Sequence, residues 1–297
     1  MPTGIPTNRS NLPLPNSVSS EILQKTQESS SVMQLARKVP LPGNGVLIPM
    51  ITSDPVAEWV TETNKKPVSN PGLDKKVMQA HKLAVIVPFS NEFRRDMAAL
   101  YNALIQRLPN ALGKKYDETV FFGPSSVLAN FDNFTSITAQ ALDGTSGAYG
   151  GLVAADIDIS EQGGTINGYV FSPHGRGILL TALDGQDRPI FINSVSESAI
   201  PRILGAPTHF KRAAYKDGDA SNPDIVGFAG DWTKAMWGTV EGVHIDISDQ
   251  ATLTYTEEGQ TVTVNLWQQN MFAVRAEIEA GFVAETEYFN ALTRTHS

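Results

Sequence analysis

The 297-residue chain contains no cysteine. That absence excludes a disulfide framework, thiolate metal sites and a cysteine nucleophile, so covalent reinforcement would need other chemistry. Long apolar runs are missing too: the longest, such as Leu83 to Val87, fall far short of the roughly twenty residues a bilayer-spanning helix requires. The N-terminus, MPTGIPTNRS, lacks the charged-then-apolar order of a signal peptide. The expectation is a soluble, unexported chain with no membrane partner.

Positive charge is scarce in the second part of the chain. Residues 1–123 carry 14 Lys/Arg against 10 Asp/Glu, residues 124–297 carry 9 against 21, and the net charge is −8. Such asymmetry implies that the two parts meet different surroundings. The surplus in the first part is too diffuse for a dedicated nucleic-acid reader.

Catalytic signatures are absent as well. The five histidines, at 81, 174, 209, 244 and 296, stand singly, without HExxH or paired ligand spacing. No GxSxG elbow occurs. Gly144 to Gly151 lacks the Gly-Lys-Ser/Thr ending of a phosphate-binding loop and reads as a surface loop. His174-Gly-Arg-Gly177 has no acidic or nucleophilic partner at a meaningful spacing, and Asp156-x-Asp158 with Glu161 lacks the rest of a calcium loop, so both read as ordinary helix and solvated-face residues. The expectation is no enzyme, no cofactor and no metal.

What the chain does have is 41% hydrophobic and 18% charged residues, a globular composition. Prolines at 2, 6, 13 and 15 make an extended arm. A short helix follows from Ser19 or Ser20, with Arg37 and Lys38 at its end and Pro40 and Pro42 as the stop. From Gly43 to Asp96 two β-rich arms, Val46 to Met50 with Ala57 to Val60 outgoing and Val77 to Val87 returning, flank a polar tip, Thr61 to Lys76. An excursion of this kind has too little apolar surface to pack alone, because isolated hairpins are marginal in water. It needs a neighbour to lie on.

Ser90 then reads as the N-cap of a long helix. Phe93, Met97, Leu100, Leu104, Leu108 and Leu112 recur at spacings of three or four, predicting one apolar stripe on a helix of about 40 Å, kinked or split at Pro109. Between Gly123 and Gln250 lie short elements and 15 of the 31 acidic residues. They include a strand at Gly168 to Phe171, a helix from Ser172-Pro173 to about Leu183, a helical turn at Asp231 to Trp237 and a strand at Val243 to Ile247. The end alternates: a hairpin at Leu253 to Leu266 turning at Glu258-Gly259, then inward Phe272, Val274, Ala276 and Ile278, a half-buried sheet to receive the helix stripe.

In this order the chain resembles the major capsid proteins of tailed bacteriophages, the Hong Kong 97-like fold. The match is carried by SSVMQLARKVPLPGNGVLIPMITSDPVAEWVTE, HKLAVIVPFSNEF, GILLTALDGQDRPIF, ILGAP, GDWTKAMWG and NLWQQNMFAVRAEIEAGFVAETEYFNALT, collinear over nearly the whole chain. The resemblance implies an α+β fold with an N-arm (1–44), an extended E-loop hairpin (45–88), a long spine helix in the peripheral domain (89–122), an inserted axial domain (123–250) and the C-terminal part of the peripheral-domain sheet (251–297). It implies pentamers and hexamers of one chain that self-assemble into an icosahedral shell around double-stranded DNA, with the long loop lying over an adjacent subunit. Implied partners are portal and scaffolding proteins, a decoration protein and the packaged DNA, contacted without sequence preference. The chain would be a virion component assembled in the host cytoplasm.

Some members carry an N-terminal scaffolding segment. Here the arm starts almost at Met1, so a separate scaffolding protein or none is expected. One member cross-links its shell through a lysine–asparagine isopeptide bond assisted by a glutamate. The positions matching by spacing are Lys65 or Lys66, Asn270 and Glu277, although each also fits as an ordinary surface or sheet-end residue. The alternative within the same fold is an encapsulin-like compartment with an enzyme cargo. From another class, an enzyme or carbohydrate-binding domain built on the acidic middle region would be a monomer or small oligomer.

Overall fold

The structure is a computed structural model describing residues 16–51, 57, 59–60, 65–66, 68, 72–92, 97–123, 128–191, 202–257 and 259–296. Helices α1 (Asn16–Ser29) and α2 (Ser31–Leu35) lead into the short strand β1 (Arg37–Lys38). Strands β2 (Val46–Ile51), β3 (Leu73–Met78) and β4 (His81–Ser90) precede α3 (Met97–Phe122). Then come β5 (Thr138–Ala141), α4 (Gly147–Glu161), β6 (Gly168–Phe171), α5 (Pro173–Thr181), β7 (Arg202–Ile203), β8 (Ala206–Phe210) and β9 (Asp224–Gly230). The chain ends with β10 (Ala235–Thr239), β11 (His244–Ser248), β12 (Thr252–Glu257), β13 (Gln260–Asn265), β14 (Met271–Ala284) and β15 (Phe289–Arg294).

Two sheets organise these elements. The first is built on β14, which pairs antiparallel with β4 along one edge and β11 along the other, and with β10 further on, which adds β1 in parallel. The alternation predicted for β14 holds: Phe272, Val274, Ala276 and Ile278 are buried against Leu108, Leu112, Tyr116 and Val120 of α3 and Ile22 and Val32 of the N-terminal helices. The second sheet has the order β5-β15-β9-β6-β8-β7. Successive residues of its central strands face different cores. Val170, Phe228 and Ala291 join the α3 core, while Tyr169, Phe171, Ala229 and Leu292 pack under α4 and α5 with Leu152, Ile159 and Leu179. A sheet covered on both faces has no solvent side, so β6 reads as an unbroken apolar run. Phe134, stacked on Phe289 at 4.5 Å and edge-on to Phe282 at 5.8 Å, joins the two sheets.

Several expectations are revised. The N-arm helix is two helices. The break is at Ser30, whose hydroxyl accepts from the Met33 N–H and caps α2, while Arg37 and Lys38 fall in β1 rather than a helix end. The return arm of the loop is two strands, since β3 pairs with β2 whereas β4, after Gln79-Ala80, joins β14. Lys75 and Lys76 therefore belong to β3 and not to the tip, and Ala57, Trp59 and Val60 are in no strand. Ser90 ends β4 instead of capping the long helix; residues 93–96 and the tip residues 61–64 lie outside the described residues.

Helix α3 runs to Phe122 as one element through Pro109. The Pro109 carbonyl still accepts from Ser29 Oγ at 3.0 Å, and Gly113 one turn on lets α1 close in: a Cβ there would stand 2.1 Å from Ser29 Oγ. Tertiary packing at that seam outweighs the local cost of the missing amide. Gly144 to Gly151, expected as a loop, holds the start of α4, and Gly151 abuts the Ala141 carbonyl of β5. Sheet membership also cuts across the expected division at residue 250. Strands β10 and β11 lie in the β14 sheet, and β15 lies in the second sheet.

Candidate assembly surfaces

The β2–β3 hairpin is a two-stranded sheet that, among the described residues, is held to the body at its base. There Ile48 and Met78 are buried with Leu41 and Val283. Lys76 Nζ donates to Asp132 Oδ2 at 2.9 Å and to the Ala284 carbonyl at 2.7 Å, while the same carboxylate accepts from the Ala284 N–H at 3.0 Å. The opposite face of the same segment is uncovered: the cross-strand pair Leu47 and Val77, set between those anchors, is 54% and 40% exposed. Trp59, further along the chain, is fully exposed. A wholly exposed indole is an unmet burial: covering such a ring stabilises by several times the thermal energy.

A second seam ties the N-terminal helices to α3. Asp117, on the buried side of α3, accepts from the Ser30 and Ser31 hydroxyls and from the Ser31 and Val32 N–H groups, at 2.8 Å for the Ser31 N–H. Burial pushes its carboxyl up, opposed by these four hydrogen bonds. The signal for this site was a charged residue inside an apolar helix face and a run of three serines before an apolar pair.

The far face of the β14 sheet is polar. Arg275 donates to Asp246 at 2.6 Å and reaches Glu277 at 3.3 Å, Lys82 pairs with Glu279 at 3.1 Å, and His244 lies beside Asp246. These pairs are exposed enough to contribute little stability each. The hairpin predicted over Leu253 to Leu266 forms as β12–β13, with Thr252 opposite Asn265; it covers Ala273 at one end, and an exposed Trp267 follows at the turn into β14.

Lys65 and Lys66 are exposed. Asn270 is exposed at the start of β14 with φ +55, a conformation asparagine tolerates, and its side-chain oxygen accepts from Asn91 at 2.8 Å. Glu277 stands seven residues along β14, about 23 Å away at the rise of a strand. A single chain does not bring the three kinds of group together.

Near the C-terminus, Asp224 accepts from Arg294 at 2.8 Å, His296 Nδ1 lies 2.7 Å from it, and the Gly218 N–H donates to it at 2.9 Å. His296 first, then the Gly218 N–H and Arg294, hold the Asp224 carboxyl far below the usual range, and Asp224 raises His296. Asp217, Asp224 and His296 group their ligand atoms within 4.8 Å, but the Arg294 guanidinium already supplies the positive charge. The arrangement fastens the end of β15. These residues lie some seventy positions apart, with no signal in the sequence. His174 stacks on Tyr215 at 4.2 Å and Arg176 lies over Phe210, so both serve packing. No helix among the described residues is long and apolar enough to cross a membrane.

Comparison with known proteins bears on these surfaces. The family model described as the phage capsid family matches residues 11–289. A protein described as a probable major capsid protein of Mycobacterium phage D29 is 30% identical over 287 residues, covering 92% of this chain and 87% of the relative. The major capsid protein of Staphylococcus phage 80alpha is 25% identical over 94% of this chain and 84% of the relative. Among solved structures, a chain from Microbacterium phage Oxtober96 superposes with a TM-score of 0.69 at 22% identity, covering 89% of this chain and 91% of the other. The capsid of an empty GTA particle gives 0.62 at 14% identity, covering 99% and 95%.

Proposed function

The chain belongs to the phage capsid family, and as a major capsid protein of a tailed phage it is a structural subunit; we propose that it closes an icosahedral shell of pentamers and hexamers around double-stranded DNA. One observation carries the proposal. The β2–β3 hairpin is rooted in the body at Lys76–Asp132 yet leaves Leu47, Val77 and Trp59 uncovered, and a second copy of the chain is the partner that repeats at every position of a shell. The hairpin lies across a neighbouring subunit, burying this surface and gripping it. The exposed Trp267 belongs to a second subunit contact of the same kind.

Family membership across residues 11–289, with relatives described as phage capsid proteins, favours a DNA-containing phage shell over a compartment loaded with enzyme cargo. Portal, scaffolding and decoration proteins are further partners of such a shell, assembled in the host cytoplasm. The test is electron microscopy of the purified chain, wild type and Trp59→Ser. Shells or capsomers from the wild type, reduced or lost in the variant, support the reading. A monodisperse monomer that never assembles overturns it.

A further inference from the structure

Asparagine precedes glycine at two places in the chain, Asn44–Gly45 and Asn167–Gly168. Having no Cβ, glycine leaves its own backbone nitrogen uncrowded, and that nitrogen can reach the carboxamide carbon of the asparagine before it. Each pair can therefore modify itself, and the tertiary structure treats the two differently.

Asn167 is clamped. Its Nδ2 donates to Asp231 Oδ1 at 2.8 Å and its Oδ1 accepts from the Trp232 N–H at 2.8 Å, while Gly168 is buried in β6 so tightly that a Cβ there would stand 2.8 Å from the Trp232 ring. Asn44 is not held. It is exposed in the turn between buried Leu41 and β2, and its side chain makes no hydrogen bond among the described residues. One contact restrains the attacking nitrogen: the Gly45 N–H donates to the Pro42 carbonyl at 2.8 Å. A single turn hydrogen bond at the surface opens readily.

The fold also requires the glycine. Gly45 has φ +84, in the left-handed region, and a Cβ there would stand 2.9 Å from the carbonyl oxygen of Met78, the partner of Val46 at the root of the hairpin. The reactive pair comes with the geometry that starts β2.

We propose that Asn44 is a site of spontaneous deamidation and that its product loosens the root of the β2–β3 hairpin. The Gly45 nitrogen gives up its proton and attacks Asn44 Cγ. The new C–N bond forms as the Cγ–Nδ2 bond breaks, and the carboxamide nitrogen leaves as ammonia carrying that proton. Water then opens the cyclic imide at either carbonyl, giving aspartate or isoaspartate, and both add one negative charge. Isoaspartate also routes the backbone through the side chain, one methylene longer, so the Pro42–Gly45 turn and the Val46–Met78 pair cannot both keep their geometry. The modification goes beyond the shell reading and stands or falls without it.

The test incubates the unassembled full-length chain in warm, mildly alkaline buffer, follows both asparagine–glycine peptides by mass spectrometry after proteolysis, and counts isoaspartate by enzymatic methyl transfer. Asn44 is expected to lose its amide at least about tenfold faster than Asn167, the margin set by two partly buried hydrogen bonds that must first break, and at a rate proportional to hydroxide. Amide exchange over β2 and β3 should accelerate in the aged wild type and stay unchanged in Asn44→Gln aged beside it, because the longer side chain closes its ring far more slowly. Conversion of Asn44 no faster than that of Asn167, or none while a synthetic peptide of residues 40–49 converts, overturns the site. Conversion that leaves exchange over β2 and β3 unchanged overturns the loosening of the hairpin.

Discussion

Asp117 in α3 caps a helix that begins 86 residues earlier: its Oδ2 accepts both the N–H of Ser31, at 2.8 Å, and the Ser31 hydroxyl, at 2.7 Å. A carboxylate at the first turn of α2 satisfies amides that the helix cannot, and it meets the positive end of the helix dipole. The N-terminal helices are thereby fastened to the helix that covers the main sheet.

Removing that acceptor strands buried donors. Asp117→Ala is expected to lower the unfolding free energy of the unassembled subunit by about 2–4 kcal/mol, measured by urea denaturation. Asp117→Asn should cost less, because it escapes the burial cost of the charge while keeping one acceptor. Equal stability of Asp117→Ala and wild type would refute the capping role.

The lock at Asp224 has a pH window. His296 is raised above its ordinary 6.5, so its contribution is complete below that value and is lost as pH rises through the folded one. Asp224 is lowered from 3.8, so its contribution is complete above that value and is lost as pH falls through the folded one. Melting temperatures of wild type and His296→Ala should differ most between about pH 4.5 and 6.5, converging at alkaline pH. A difference that grows toward pH 9 would contradict the assignment.

Two helical glycines should respond oppositely to alanine. At Gly151 a Cβ would stand 2.3 Å from the Ala141 carbonyl oxygen, a backbone atom that cannot step aside, so Gly151→Ala loses about 1–3 kcal/mol despite better helix propensity. At Gly177 nothing lies within 4 Å, and Gly177→Ala gains up to about 1 kcal/mol. Thermal melts of the pair check the contrast.

Lys76 anchors the hairpin at a half-exposed site, so Lys76→Ala should cost the whole subunit only about 1 kcal/mol. Its effect is expected locally, as faster amide exchange over residues 73–78 and fewer closed particles by microscopy. Unchanged exchange there would remove the anchor role.

Particles boiled in detergent are expected to run as a single monomer band. Lys65 and Lys66 are exposed, the Asn270 side chain is engaged by Asn91, and Glu277 is engaged by Arg275. A ladder of covalent multimers would instead show that neighbouring subunits assemble the three groups into a cross-linking site.

Much of the architecture was legible from local pattern. The period-two alternation of Phe272 to Ile278 identified the central strand and its buried face, the three-and-four spacing of Leu108 and Leu112 identified the helix that covers it, and Ser172-Pro173 marked the start of α5. Each signal is written within a few residues, because the periods of helix and strand are local geometry. The polar, lysine-bearing hairpin was legible as an element needing a neighbour for the same reason: its apolar content is too small to bury itself.

What the sequence by itself determined was thus the kinds of element, their order and the family they compose. Only the tertiary structure decided where β10, β11 and β15 pair, that Pro109 and Gly151 sit inside unbroken helices, and that Asp117 meets Ser31. Those outcomes rest on close approach between segments tens to hundreds of residues apart. No window of sequence holds both partners, and packing at a seam can outweigh the local propensity on either side of it.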